Sequence, residues 1–278
     1  GDYAGLPPGA ARCPGPSTQD IVARDEKPAP PVLRESRYEF LGDEDIDYRR
    51  YTSREHYEQE MTHVWAKAWQ WACREEHIPQ VGDYYVYEVG PYSVLVVRTE
   101  SGMKAYYNSC LHRGTKLRSE EGMGSAQELR CPFHGWTWSL EGRLKSVPCA
   151  WDFPHVKPEA YSLPEVRVGL WGGFVFINLD DNAPSLESYL EVLPEHFRNW
   201  DLGQRYTEVH LGKILPSNWK TGMEAFIEAY HVYETHPQLL EGTGDANVQY
   251  DVYGEHVARF YVALGVNSPH LEKPLSEQ

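Results

Sequence analysis

Short runs of aromatic and β-branched residues at Tyr84–Val89, Ser93–Thr99 and Lys104–Asn108, broken by Gly-Pro and Ser-Gly, predict three strands of a meander. Leu129–Cys131, Trp136–Ser139 and Arg143–Lys145 continue it, with Glu141-Gly142 as a hairpin turn. Val166–Leu170 and Gly173–Asn178 add two more strands. Residues 63–180 therefore read as a small all-β domain. After Asp180-Asp181 the pattern changes: Leu186–Leu193 and Met223–Val232 read as helices and Leu211–Leu215 as a strand. Val248–Tyr253 and His256–Ala263 read as a hairpin across Gly254. Residues 181–278 form a second, α+β domain. Upstream, residues 1–35 are rich in Pro, Gly and Ala and predict an extended arm, disordered or laid over a partner. Tyr57, Met61, Val64 and Trp65 recur at helical spacing within Arg54–Ala68. Residues 36–62 are expected to form a helical segment packing with the second domain.

Composition narrows the class. The 278 residues are 41% hydrophobic, with nine Trp and nineteen Tyr. The net charge of −15 comes from 26 basic and 41 acidic residues; with no basic stripe, nucleic acid is disfavoured as a partner. Five cysteines are too few, and odd in number, for a disulfide scaffold, which points to a reducing compartment and metal-binding thiols. The longest apolar-rich stretch, Val168–Leu179, is too short to span a bilayer and carries three glycines. With no signal-peptide pattern at its start, the chain is expected to be cytoplasmic and not membrane-bound.

Chemistry concentrates in two clusters, Cys110-Leu111-His112 and Cys131-Pro132-Phe133-His134. Each supplies one thiol and one imidazole. A [2Fe-2S] cluster with two cysteines on one iron and two histidines on the other needs that set, and imidazole ligation raises its reduction potential. Gly114 and Gly135 permit close backbone approach, where amides would hydrogen-bond the sulfides. Two Cys and two His also make a structural zinc site, but the alternating Cys-x-His order is unusual for zinc fingers. Cys13, Cys73 and Cys149 have no partner spacing and read as bystanders.

A second constellation runs from Asn218 to His236. His231 and His236, five apart, converge only if the helix ends or distorts between them. Glu228, three residues before His231, shares its face, with Glu224 a turn further back. Two histidines and a carboxylate make the facial triad of non-haem Fe(II) oxygenases. An electron-transfer cluster upstream gives such a site its electron supply. Phe226, Ile227, Tyr230 and Tyr233 line the same segment, as pocket wall or as ordinary core.

With CLHRG, CPFHGWTW, NWK and ExxYHxxxxH on the page, residues 40–240 resemble the oxygenase (alpha) subunit of Rieske non-haem iron oxygenases, the ring-hydroxylating dioxygenase family. The resemblance implies a Rieske domain followed by a catalytic domain of helices and antiparallel sheet. It implies a cluster on Cys110, His112, Cys131 and His134, and a mononuclear Fe(II) on His231 and His236. It also implies trimeric assembly, as a homotrimer or with a second subunit type (α3β3), and electrons from NAD(P)H through a reductase, with or without a ferredoxin. The cluster of one subunit would face the iron of its neighbour across a carboxylate, here Glu228. The reaction implied is O2-dependent hydroxylation of an organic, aromatic substrate, as in aromatic hydrocarbon catabolism. Glu in place of the Asp of aromatic dioxygenases is similar to the quaternary-ammonium monooxygenases, which keeps demethylation or monooxygenation open. Ala225 replaces an asparagine common in the family. The family's third iron ligand, a distant aspartate, has no match: Asp245 and Asp251 lie too near His236, so the chain is expected to be incomplete at its C-terminus. A Rieske electron carrier without oxygenase activity is the rival of another class.

Overall fold

The computed structural model describes residues 6–7 and 10–271 and divides into two compact units. The first comprises Arg54–Ser188 and Leu202–Val209. Its strands are β1 (Gln70–Arg74), β2 (Asp83–Val89), β3 (Tyr92–Thr99), β4 (Gly102–Tyr107), β5 (Gly122–Ser125), β6 (Leu129–Arg130), β7 (Thr137–Trp138), β8 (Leu144–Ser146), β9 (Glu165–Trp171) and β10 (Phe174–Asn178). Seven make one antiparallel sheet in the order β1-β10-β9-β4-β3-β2-β5, and β6-β7-β8 make a second. All eight expected strands of this region form. The sequence pattern missed β1 and the glycine-rich β5, which have little alternation to announce them.

Strand β3 shows why the sheet holds. Its side chains alternate sides: Val94 and Val96 join one core with Ile78, Val175 and Ile177. Leu95 and Val97 join another with Tyr106, Leu129, Trp136 and Trp138. All four are fully buried, worth about 1.5–3 kcal/mol each by burial of apolar surface. The second core fastens the three-stranded sheet to the large one. Tyr106 donates its hydroxyl to Leu140 O at 3.0 Å and Trp138 its indole N–H to Tyr161 O at 2.8 Å. Gly142 turns β7 into β8 at φ +75°, where a Cβ would stand 2.6 Å from the Tyr106 ring; only glycine fits there.

The helix Arg54–Glu60 continues into a π-helical turn, Met61–Trp65. It belongs to the unit of the large sheet, whereas residues 36–53, with the short helix Arg49–Thr52, belong to the second unit. Residues 36–47 form no helix.

The second unit comprises the described parts of Gly1–Ser53, Tyr189–Asp201 and His210–Gln278. Its hairpin pairs β11 (Thr243–Tyr253) with β12 (Val257–Leu264), turning at Gly254 as expected. One face carries Val248 and Phe260, which pack on Ala229, Val232 and Leu240. The other carries Gln249, Asp251, Arg259 and Tyr261 and receives the N-terminal arm. Of the arm, residues 1–5 and 8–9 lie outside the described residues, as do 272–278 of the second domain. The remainder is more ordered than expected. It forms helices at Thr18–Val22, capped by Ser17 and Asp20, and at Pro31–Arg34. Arg259 donates to Val32 O (2.8 Å) and Glu35 O (2.9 Å) while paired with buried Asp251 at 2.7 Å.

Three other expectations change. Leu186–Leu193 is two short helices, Leu186–Leu190 and Leu193–His196, because Glu191 takes φ +47°. Its carboxylate there accepts the amides of Glu255 and His256. Residues 211–215 form no strand: they pair with no strand among the described residues, and Leu211 and Ile214 are 87% and 96% exposed. Met223–Val232 is not one helix but the end of Trp219–Glu224, a non-helical turn, and the start of Val232–Thr235. No helix among the described residues is long and apolar enough to cross a membrane.

Candidate metal centres

The two Cys–His segments form matched loops. In the first, Cys110 N–H donates to Thr115 O (2.9 Å) and Gly114 N–H to Cys110 O (2.8 Å). In the second, Cys131 N–H donates to Trp136 O (2.8 Å) and Gly135 N–H to Cys131 O (3.1 Å). The two glycines take φ +77° and +76°, so each loop closes through a left-handed residue that glycine adopts without strain. Their own amides are therefore committed to the cysteine carbonyls, while the amides of His112 and Arg113 face the Cys110 sulfur. Asn108 clamps the base of the first loop, donating to Ser93 Oγ (3.0 Å) and Arg118 O (2.7 Å) and accepting Arg118 N–H (3.0 Å).

The loops bring all four side chains to one tip. Cys110 and Cys131 are 3% exposed and lie beside each other; His112 and His134 lie outward of them. The two Nδ1 atoms are 3.1 Å apart. Two nitrogens on one ion at bonds of about 2.1 Å and near a right angle stand about 3 Å apart, so the pair fits one iron and the thiols the other. Burial pushes the Cys110 thiol up, against the amides of His112 and Arg113. Desolvation, then the neighbouring His134 and Arg113, hold His112 below its ordinary value and keep it neutral, the form that ligates. Trp136 stacks on His112 at 5.1 Å and Phe153 meets it edge-on at 5.8 Å. Phe153 lies well outside both motifs, and nothing in its local sequence marks it.

In the second unit Asn218 caps the helix Trp219–Glu224, accepting Lys220 N–H at 3.0 Å, and donates to Tyr51 O at 3.1 Å. Tyr51 in turn donates its hydroxyl to Glu224 at 2.7 Å. The helix ends at Glu224 and does not resume until Val232; between them the Glu228 carboxylate takes the amides of Tyr230 and His231, donors a continuing helix would give to backbone carbonyls. His231 opens the helix Val232–Thr235 and His236 closes it. Bracketing a single turn, the two rings come to 5.2 Å centre to centre. That is the convergence their five-residue spacing required.

Glu228 Oε1 also accepts the ring Nδ1–H of His231, leaving Nε2 of His231 for a metal. Desolvation pushes the Glu228 carboxyl up, but the ring and amide donors outweigh it and hold it below its ordinary value, ionised. Tyr250 stands beside it, a neighbour no motif announced. Phe226 and Tyr230 are 83% and 94% exposed, and Ile227 and Tyr233 are also exposed, so none is core in this unit. Asp251 is committed to Arg259.

Among the described residues no group of three or more His, Cys, Asp or Glu side chains is arranged to hold an ion. The candidate side chains stand in pairs, Cys110 with Cys131, His112 with His134 and His231 with His236.

Known proteins match in the same two regions. Residues 68–157 match the Rieske [2Fe-2S] domain, and residues 194–273 the ring hydroxylating alpha subunit catalytic domain. The biphenyl 2,3-dioxygenase alpha subunit of Rhodococcus jostii is 31% identical over 78% of this chain and 52% of its own length. The carnitine monooxygenase oxygenase subunit of Escherichia coli is 32% identical over 75% and 55%. Among solved structures, a quaternary ammonium Rieske monooxygenase superposes with a TM-score of 0.68 at 26% identity, over 74% of this chain and 57% of that one. Naphthalene 1,2-dioxygenase from Rhodococcus gives 0.59 at 31%, over 67% and 44%. The chain thus spans about half the length of the curated relatives it matches.

Proposed function

The chain belongs to the Rieske oxygenase alpha-subunit family, and from that premise we propose that it serves an oxygenase that hydroxylates an organic, aromatic substrate with O2. The observation that carries the reading is the presence in one chain of both ligand sets, His112 and His134 with their Nδ1 atoms 3.1 Å apart and His231 and His236 on either side of one turn. A carrier of electrons needs only the first.

Cys110, Cys131, His112 and His134 would hold the [2Fe-2S] cluster, and His231 and His236 a mononuclear Fe(II) whose third ligand is not among the described residues. Bound there, these groups supply single-electron transfer and O2 activation. The chain's own residues orient and insulate. Buried Cys110 and Cys131 keep water from the inner side of the first site, and Trp136 and Phe153 wall the His112 edge. Glu228, ionised and bound to His231 Nδ1, fixes that ring's tautomer and stands as the carboxylate between His231 and a cluster histidine of a neighbouring subunit. Phe226, Ile227, Tyr230 and Tyr233 offer apolar surface beside the iron helix. NAD(P)H provides electrons through a reductase, with or without a ferredoxin, in a trimeric assembly in the cytoplasm.

The second reading, oxidation of a quaternary-ammonium or N-methylated substrate, rests on Glu228. The chain carries Glu where aromatic dioxygenases carry Asp. Purified full-length protein, reconstituted with Fe(II), is expected to hold three irons and two acid-labile sulfides per chain. With a surrogate reductase it is expected to consume O2 with an aromatic compound. O2 uptake only with quaternary ammonium compounds would replace the first reading by the second. Two irons after reconstitution would leave an electron carrier, and zinc alone would end both readings.

A further inference from the structure

We infer that Gln238 is a positioning residue for the iron site, holding His236 by Nδ1 as Glu228 holds His231. The inference rests on the oxygenase reading above and extends it to a residue outside the ligand set.

The backbone delivers Gln238 to that place. His236 closes the helix Val232–Thr235 at φ −128°, its amide donating to Val232 O at 3.0 Å. Pro237, with φ fixed by its ring, starts a tight turn over Pro237–Leu239. Leu239 N–H returns to His236 O at 2.9 Å and Leu240 N–H to Pro237 O at 3.2 Å. Val232 on one side and Leu240 on the other are buried in one core with Ala229. The stretch between them is pinned at both ends, so the side chain of Gln238 is carried on a fixed frame. Its side-chain amide nitrogen lies 3.5 Å from His236 Nδ1, and a half-turn of the amide brings its oxygen to that place.

Proton accounting sets the direction of that contact. An imidazole that ligates through Nε2 carries its proton on Nδ1 and needs an acceptor there. The oxygen and nitrogen of a glutamine amide are interchangeable by a half-turn, and the network decides which one faces. An amide N–H on Nδ1 would force the proton to Nε2 and block the metal. With the oxygen facing Nδ1, Nε2 is left open. His231 is already held this way by Glu228. The two rings then present the same nitrogen, each fixed by an acceptor from the turn beside it, one an ionised carboxylate and one a neutral amide.

Gln238 is exposed, so its substitution tests the contact and spares the fold. Co(II) binding to the full-length protein is measured by equilibrium dialysis in wild type, Gln238→Leu, Gln238→Glu and the double variant His231→Ala/His236→Ala, with the cluster's visible spectrum as an internal control. Gln238→Leu is expected to weaken Co(II) binding about tenfold or more, the usual effect of losing a ligand's orienting partner. Gln238→Glu, which keeps an acceptor, is expected to hold wild-type affinity, and the spectrum to stay unchanged throughout. Wild-type affinity in Gln238→Leu, or equal loss in both Gln238 variants, overturns the inference while leaving the iron site standing. Wild-type Co(II) binding that survives loss of both histidines overturns the oxygenase reading and this inference with it.

Discussion

Glu228 carries three hydrogen bonds with one carboxylate: two from backbone amides in the turn before the helix Val232–Thr235 and one from a ring N–H that sets a tautomer. Glu228→Gln retains a carbonyl acceptor but loses the charge. Both metals are expected to stay bound while single-turnover electron transfer from cluster to iron slows about 10–100-fold; an unchanged rate in stopped-flow would remove the bridging role. The cysteines outside the cluster separate by environment. Burial pushes Cys73 up to about 12, whereas Cys149 is exposed. The thiolate is the reactive form, so a maleimide is expected to modify Cys149 first and Cys73 only on unfolding, as mass spectrometry of timed samples would show. A raised folded-state value has a sign for stability as well. The contribution of Cys73 is complete below the ordinary thiol value of 9.0 and is lost as pH rises from there through about 12.

At the scale of elements, the ligand loops separate two roles of glycine. At Gly114 a Cβ would meet nothing nearer than 3.9 Å, so Gly114→Ala costs the left-handed backbone alone, about 1–2 kcal/mol. At Gly135 a Cβ would also stand 3.3 Å from Arg130 and 3.4 Å from Pro148. Gly135→Ala is therefore expected to shorten the half-life of the cluster's visible absorbance under a chelator more than Gly114→Ala does. The loops and eight strands of this unit were legible in sequence because turn glycines and β-branched runs are local signals. The glycine-rich β5 and the paired glycine amides were not, since ladder partners and carbonyl acceptors are tertiary facts. The iron segment shows the same limit. Helical propensity runs unbroken from Met223 to Val232, yet the helix ends at Glu224, and the Glu228 side chain takes the backbone donors of Tyr230 and His231 that a continuing helix would use. Only the spacing of His231 and His236 hinted at it.

For the whole molecule, the two compact units each carry one candidate ligand set. In the second, the buried Asp251–Arg259 pair, side chains 0% and 6% exposed, ties the arm at Val32 and Glu35 to the hairpin. Removing one partner strands a buried charge, so Arg259→Leu is expected to cost about 3–5 kcal/mol in urea unfolding of this unit and to leave the cluster spectrum unchanged. The placement of ligands along the chain also dictates an order of assembly. His231 and His236 meet by closing one turn, whereas Cys110 and Cys131 meet only after β6 and the hairpin β7-β8 have docked on the large sheet. Closing a short loop costs less entropy than assembling a sheet, and is faster. On dilution from denaturant with Co(II), iron and sulfide present, the imidazole chelate is expected to return before the iron–thiolate absorbance. Under the proposed function, the reaction site would be the first of the two centres to recover, and the centre that feeds it with electrons the last.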